Sequence, residues 1–426
     1  MGKLLFILLL IGPGAGASLA QTASEYEAEL AQGNATPATG NAAFSALGYW
    51  RGLFLLRPGV EVPFTFEIRN DGDNVPELFF HNGGESFEGG RVRQTGDSLF
   101  VSLDQFDNEL AFRIQDGALS GILRRQNKTG QPLPVTASRS ITYRFKETGV
   151  PPAKDISGTY AITFTSTDGK EERSVGIFQQ HGARLTATFL HVTGDSRYLE
   201  GVVEGDSFRL SSFIGSGPSY YTGSFTAEGR LSGQNIGARG AQNFTGVPDA
   251  NAALPDPYKL TYLKEGYSSF DFSFPDVNGN KVSLHDAKYR DKVVIVAIGG
   301  TWCPNCIDET AFLAPWYIAN RSRGIEVVSI QYERQTDSAF VRKTLTRMCN
   351  RYDIRYDQLA GGIADKQAVA ASLPSLNTFL AFPTTIFIDR KGRVAKIHTG
   401  FNGPATGKYY QDFIREFNEE IDSLLK

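Results

Sequence analysis

Two cysteines, Cys303 and Cys306, stand two residues apart in Thr301-Trp302-Cys303-Pro304-Asn305-Cys306-Ile307-Asp308-Glu309. Thiols at this spacing can close a disulfide with each other or pass one to another molecule. The apolar run from Val293 to Ile298 precedes them, and a helix-compatible stretch beginning at Ile307 follows, so a strand delivers the pair to a helix start. Unpaired backbone N–H groups and the positive dipole end at such a start stabilise a thiolate. Cys303 is therefore expected to be the acidic, exposed nucleophile. Cys306, one turn further in, is placed to attack a mixed disulfide held on Cys303 and release the partner.

Other chemistries for the pair fit less well. Structural zinc needs four ligands, and the chain has neither a second Cys-x-x-Cys nor a histidine close by in sequence, so no metal is expected. Covalent haem needs a histidine directly after the second cysteine, where Ile307 stands. A plain structural disulfide stays open as a reading, although cross-linking so short a loop removes little unfolded-state entropy.

Around this pair lie 426 residues, 41% hydrophobic, enough for two or three separately cored domains. A net charge of −3 supplies no basic field, so nucleic acid is not an expected partner. Residues 1–20 read as a secretory signal, with Lys3, an apolar run from Leu4 to Ile11, and small residues ending near Ala20. The apolar run is too short to span a bilayer, and nothing later approaches the roughly 20 residues a span requires. The expected mature protein is soluble, in the periplasm or another extracytoplasmic compartment, and not membrane-spanning once the signal is cleaved. Residues 21–44 read as a flexible lead-in.

From 45 to 250 the segments are short, alternating and turn-punctuated, which is antiparallel β patterning. The same features recur at a nearly constant offset. Leu47-Gly48-Tyr49-Trp50 returns as Ser157-Gly158-Thr159-Tyr160, and Phe79-Phe80-His81 as Phe189-Leu190-His191. Gly96-Asp97-Ser98-Leu99 returns as Gly205-Asp206-Ser207-Phe208, and Leu119-Ser120-Gly121 as Leu231-Ser232-Gly233. Four matches in order imply an internal duplication, with one β repeat at 45–150 and another at 151–250. Each holds about eight short strands, and closure into a barrel, or a tight sandwich, removes exposed edges. Tyr49, Trp50, Phe64, Phe66, Tyr160 and Phe164 are core or, less simply, a pocket lining. His81 and His191 occupy equivalent places, but a histidine without a nearby second ligand makes no metal site.

After a linker at 251–265 the pattern changes. A hairpin around Asn278-Gly279, a buried strand at 293–298, the helix after the cysteines and a strand at 325–330 are followed by a helix near 340–352. Strands at 384–388 and 394–397 and an amphipathic C-terminal helix complete it. Strands alternating with helices mean α/β layering over a mixed sheet. Cys349, beside Val341, Leu345 and Met348, is expected in the core.

Residues 266–426 resemble the thioredoxin-like extracytoplasmic disulfide reductases of the TlpA/ResA family. The resemblance rests on Phe274-Pro275-Asp276-Val277-Asn278-Gly279, on Gly300-Thr301-Trp302-Cys303-Pro304-Asn305-Cys306 with Glu309, and on Phe382-Pro383-Thr384-Thr385-Ile386-Phe387-Ile388-Asp389. It implies an α/β thioredoxin-like domain behind the duplicated all-β region, and a thiol-disulfide oxidoreductase working in the reducing direction. Catalytic roles fall by resemblance to Cys303, Cys306, Glu309, the acidic residue behind the pair, and Pro383, a cis proline facing the thiols. Trp302, Pro304, Asn305, Phe382 and Thr384 would line the substrate site. No cofactor is implied beyond the Cys303–Cys306 disulfide itself. The implied partners are disulfide-containing extracytoplasmic proteins and an upstream thiol reductant.

The chain departs from the family in having Gly299 where a bulky aromatic often stands, and Ala311 where a proline does, with Pro315 further along. Peroxide reduction on the same fold wants Pro-x-x-x-Thr-x-x-Cys, and Val296 and Gly300 occupy those places. The reading from another class makes the β repeats a ligand- or partner-binding envelope module with an accessory thioredoxin-like domain.

Overall fold

The computed structural model describes residues 46–426 apart from Arg239. The expected signal and the whole of the lead-in lie outside the described residues. The β region is two closed barrels of eight antiparallel strands. In the first, strands run from Gly48–Arg57 to Leu133–Arg139, each pairing with its sequence neighbour, and Trp50 opposite Arg139 closes the ring. In the second they run from Gly158–Thr165 to Gly240–Pro248, closed by Phe244 opposite Phe164.

The recurring sequence features fall on equivalent elements. Trp50 and Tyr160 each enter the first strand of their barrel. The Trp50 indole donates to Ala46 O at 2.9 Å and the Tyr160 hydroxyl to Ile156 O at 3.0 Å, so each ring ties down the carbonyl four residues back. The turns at Gly96-Asp97 and Gly205-Asp206 both join the fourth ring strand to the fifth.

Inward-facing residues alternate along each strand and fill both interiors. Phe54, Phe64, Phe66, Phe80 and Phe112 are buried in the first barrel, and Phe164, Phe178, Phe189, Phe208 and Phe244 in the second. Trp50 and Tyr160 are core with them, whereas Tyr49 points outward. Each histidine meets a carboxylate on its own barrel. His81 Nε2 lies 3.6 Å from Glu67, and His191 Nδ1 lies 3.0 Å from Glu172.

The two barrels are joined through their cores. Phe213 leaves the second barrel and inserts edge-on against Phe54, Phe64 and Phe80 of the first, with ring centroids 4.7, 5.2 and 4.8 Å away. Asn82 pairs with both backbone groups of Phe213. Arg144, on the connection between the barrels, is buried. It donates to Ser211 O, Thr65 Oγ1 and Asn82 Oδ1 and lies 3.5 Å from Glu200. Both terminal nitrogens of this buried guanidinium have acceptors, while its Nε is left without one.

The C-terminal domain is a five-stranded sheet ordered Asp357–Ile363, Ile325–Glu333, Val293–Gly299, Thr384–Ile388, Val394–Thr399. The first three strands are parallel and the last two antiparallel. All seven residues of the central strand are buried, because its two faces meet different cores. Val294, Val296 and Ile298 pack with Phe270 and Leu373, while Val293, Ile295 and Ala297 meet Leu313, Phe413 and Phe417. The edge strand Asp357–Ile363 and the short helix Lys366–Ser372 after it were not expected from the sequence. Cys349 packs, half-buried, at the margin of the second core, on the helix Ser338–Tyr352. Among the described residues no helix is long and apolar enough to cross a membrane.

Candidate active site

The central strand ends at Gly299, and after four intervening residues the chain enters the helix Pro304–Asn320. That helix begins three residues earlier than expected. Proline at its first position costs no hydrogen bond, since that N–H would be unpaired anyway. Cys303 is the N-cap, and its sulfur accepts from the Cys306 backbone N–H at 3.4 Å. Both thiols are free in this structure.

Cys303 is not exposed as expected. Only 6% of its surface is accessible, and 2% of that of Cys306. The cause is cover from all sides of the pair. The Cys303 thiol faces the Phe382 carbonyl at 3.5 Å, across a cis Phe382–Pro383 bond. The Gln105 amide of the first barrel donates to Thr301 O. The Arg197 guanidinium of the second donates to Pro304 O at 3.2 Å. Asn305 donates to Asp195 O at 3.3 Å.

The two sulfurs differ in surroundings. Burial pushes the Cys306 thiol well up, helped by its hydrogen bond to Cys303 and by the charges of Cys303 and Glu309. Glu309 is 5% exposed and accepts from the Thr385 hydroxyl. Burial pushes its carboxyl from 4.5 up to about 7. Gly299 leaves room beside the Cys306 thiol. A Cβ there would stand 3.4 Å from Cys306 Sγ and 3.3 Å from Gln331 Oε1.

The remaining expected residues divide into two groups. Trp302 is half-buried, donates to Tyr332 O at 2.9 Å, meets Phe382 edge-on at 5.6 Å and carries the Arg334 guanidinium over its ring at 4.9 Å. Trp302, Pro304 and Phe382 therefore surround Cys303. Thr384 does not. It is fully buried in the sheet and its hydroxyl donates to Ala381 O at 2.9 Å, so its side chain cannot meet a substrate. The Asn305 amide is likewise engaged by barrel two rather than presented to solvent.

Several functional neighbours escaped the sequence reading. Glu333 ends the strand Ile325–Glu333, is buried, and accepts from both the N–H (3.0 Å) and the hydroxyl (2.9 Å) of Thr301. It thereby fixes the backbone one residue before Trp302. Burial raises its carboxyl to about 7, against those two bonds. Asp308, in the first turn after Cys306, lies 2.5 Å from Arg197, which also pairs with Glu85 of the first barrel. One cation thus joins both barrels to the dithiol helix. A glutamate ending an apolar strand was the available signal for Glu333, whereas Arg197 carries no local signal.

Replacing Glu309 by Gln has a calculable sign. The folded-state pKa is raised, so the stability associated with the protonated carboxyl is full below about 4.5 and is lost as pH rises through about 7. Glu309→Gln is neutral throughout, and its Tm should fall less than that of the wild type over this interval. If the carboxyl also exchanges protons with Cys306, resolution should slow by about 10²-fold and lose its inflection near pH 7, in stopped-flow traces from about pH 5 to 9. Superimposable rate profiles would leave Glu309 a structural role alone.

Comparison with known proteins covers the same third of the chain. The AhpC/TSA family profile matches residues 266–397. Thiol-disulfide oxidoreductase ResA of Bacillus subtilis (strain 168) is 27% identical over 138 residues, 32% of this chain and 69% of that protein. Thioredoxin-like protein YneN of the same organism is 28% identical over 138 residues, 32% and 73% of the two chains. The crystal structure of a thiol:disulfide interchange protein from Chlorobium tepidum TLS aligns at 21% identity with a TM-score of 0.29, covering 38% of this chain and 99% of that one. The C-terminal third is a thioredoxin-like domain, and the barrels lie outside the ResA and YneN matches.

Proposed function

Taking that thioredoxin-like domain as the premise, we propose that this chain is an exported thiol-disulfide oxidoreductase that reduces disulfides of extracytoplasmic proteins through Cys303 and Cys306. The observation that carries this is the asymmetry of the pair, one sulfur capping a helix and the other buried beside Glu309. Cys303 thiolate attacks one sulfur of a substrate disulfide. A mixed disulfide forms, and the departing substrate sulfur leaves as a thiolate and takes a proton. Cys306, deprotonated with Glu309 as acceptor, attacks Cys303 Sγ and expels the second substrate thiol. The substrate has gained two electrons and two protons, and Cys303–Cys306 is oxidised. An upstream thiol reductant restores it by the reverse exchange.

Pro383 has its role through the cis bond, which turns the Phe382 carbonyl toward Cys303 and leaves a backbone edge for the substrate. The electrons reside in the sulfurs, so the reaction calls for no metal or organic cofactor. Filled barrel interiors weigh against the rival reading of the β region as a ligand carrier. The deciding measurement is the reduction potential of the couple, by equilibration with a thiol buffer. A reductase should lie near the thioredoxin value of about −270 mV, and a value near about −120 mV would mark an oxidant and overturn the proposed direction.

A further inference from the structure

The two barrels share a topology but treat one connection differently. In barrel one the chain turns at Gly83–Gly84 from Pro76–Asn82 directly into Glu85–Thr95. In barrel two seven residues leave the ring after His191, with Gly194–Asp195 folded back on the preceding strand, and the chain rejoins it only at Leu199. This excursion, Val192–Tyr198, lies against the dithiol helix and against the segment Gly400–Gly403. Gly400 N–H in turn donates to Pro383 O at 2.9 Å, which places that segment beside the cis-proline turn.

The contact is close. The Asp195 carboxylate accepts from Gly403 N–H at 2.5 Å, and its backbone carbonyl accepts from Asn305. A Cβ on Gly194 would stand 2.6 Å from the Asn305 side chain, and one on Gly400 would stand 2.6 Å from Val192 O. Across the pair, the turn 103–107 of barrel one holds Thr301 O through Gln105. The residues on either side of the pair's first cysteine are thus each held by a barrel of this chain, Thr301 by the first and Asn305 by the second.

We propose that Val192–Tyr198 and the turn 103–107 are specificity walls, which admit disulfides carried on a small molecule or an extended segment and exclude those set in a folded protein surface. An extended strand needs about 5 Å of width, whereas a folded surface must lie over both flanks at once. The inference rests on the exchange chemistry proposed above and adds the class of substrate to it.

The test compares reduced full-length wild type with Gly194→Val, which wedges the excursion off Asn305, and Asp195→Ala, which removes its bond to Gly403. Each is given dithiodipyridine as the small disulfide and native insulin as the folded one. The ratio of insulin to dithiodipyridine rate constants should rise about tenfold or more in both variants. Labelling of Cys303 by a polymer-linked maleimide, relative to N-ethylmaleimide, should rise with it, and this second readout needs no redox turnover. Should Gly194→Val fail to fold, Asp195→Ala carries both measurements. Unchanged ratios in a folded variant overturn the walls and leave the exchange reading intact. A wild type that reduces neither disulfide overturns the exchange reading, and the walls with it.

Discussion

Cys306→Ser is expected to leave attack by Cys303 intact and to abolish release, so that substrates accumulate as mixed disulfides on Cys303. The serine hydroxyl occupies the same buried place beside Glu309, but it is no nucleophile toward sulfur at neutral pH. Turnover should fall by at least about 10³-fold, and Cys303→Ser should fall as far without trapping anything. The difference between the two variants is the informative part. Lost turnover alone could follow from a disturbed helix start, since Cys303 caps Pro304–Asn320. Covalent capture by one variant and not the other requires sequential attack and resolution. Mass mapping of the adducts formed in the cell would also name the substrates. Absence of any Cys303-linked adduct would remove the proposed chemistry.

Arg197→Ala should be among the most destabilising single changes in the chain, at about 3–5 kcal/mol. Removing the guanidinium leaves Asp308 and Glu85 buried without their cation and Pro304 O without its donor. Burial already raises the Asp308 carboxyl, opposed chiefly by Arg197. Arg197 also holds a left-handed backbone at φ 54°, which costs a non-glycine residue about 1–2 kcal/mol and persists where surrounding contacts fix it. Arg197→Lys keeps the charge but not the fork that spans two carboxylates and a carbonyl, and should recover only part of the loss. Arg197→Ala combined with Asp308→Asn should be less damaging than the sum of the two, because the second change removes a charge the first has stranded. Urea midpoints for the wild type and the four variants, Asp308→Asn alone included, check this. A loss below about 1 kcal/mol for Arg197→Ala would place the cluster among solvated surface pairs.

What the sequence made legible is what is encoded locally. The run from Val293 to Ile298, the cysteine spacing and the following helix are contiguous, so periodicity and turn chemistry suffice. The duplicated barrels announce themselves because each repeat is a chain of hairpins between neighbouring strands. Asp357–Ile363 was missed because Gly361 and Gly362 interrupt its apolar pattern and Asp357 and Gln358 open it with polar residues. Pro304, a good first helical residue, marked the true helix start more truly than the apolar residue at 307. Cys303 was misjudged as exposed for a different reason. Beyond the Phe382 carbonyl, the residues beside it are held by Gln105 and Asp195 of the barrels, and no spacing around a cysteine records what a distant hairpin lays against its neighbours. Thr384 was assigned by likeness to a substrate wall, but in a strand paired on both sides its hydroxyl has nowhere to point except back to Ala381.

The order of the domains along the chain has a kinetic consequence. Within each barrel every strand pairs with a sequence neighbour, and only the meeting of first and last strands spans the whole repeat. Such local pairings form early, and the closing step is the slow one. Since N-terminal domains fold first during synthesis, both rings can close before the emerging chain delivers Cys303 and Cys306. The thiols then emerge into the lee of a surface already formed, which shortens the time in which they could pair wrongly with Cys349 or with another chain. A circular permutant that delivers residues 258–426 first would reverse that order while keeping the same contacts, and should yield more misbridged protein when it is synthesised under oxidising conditions.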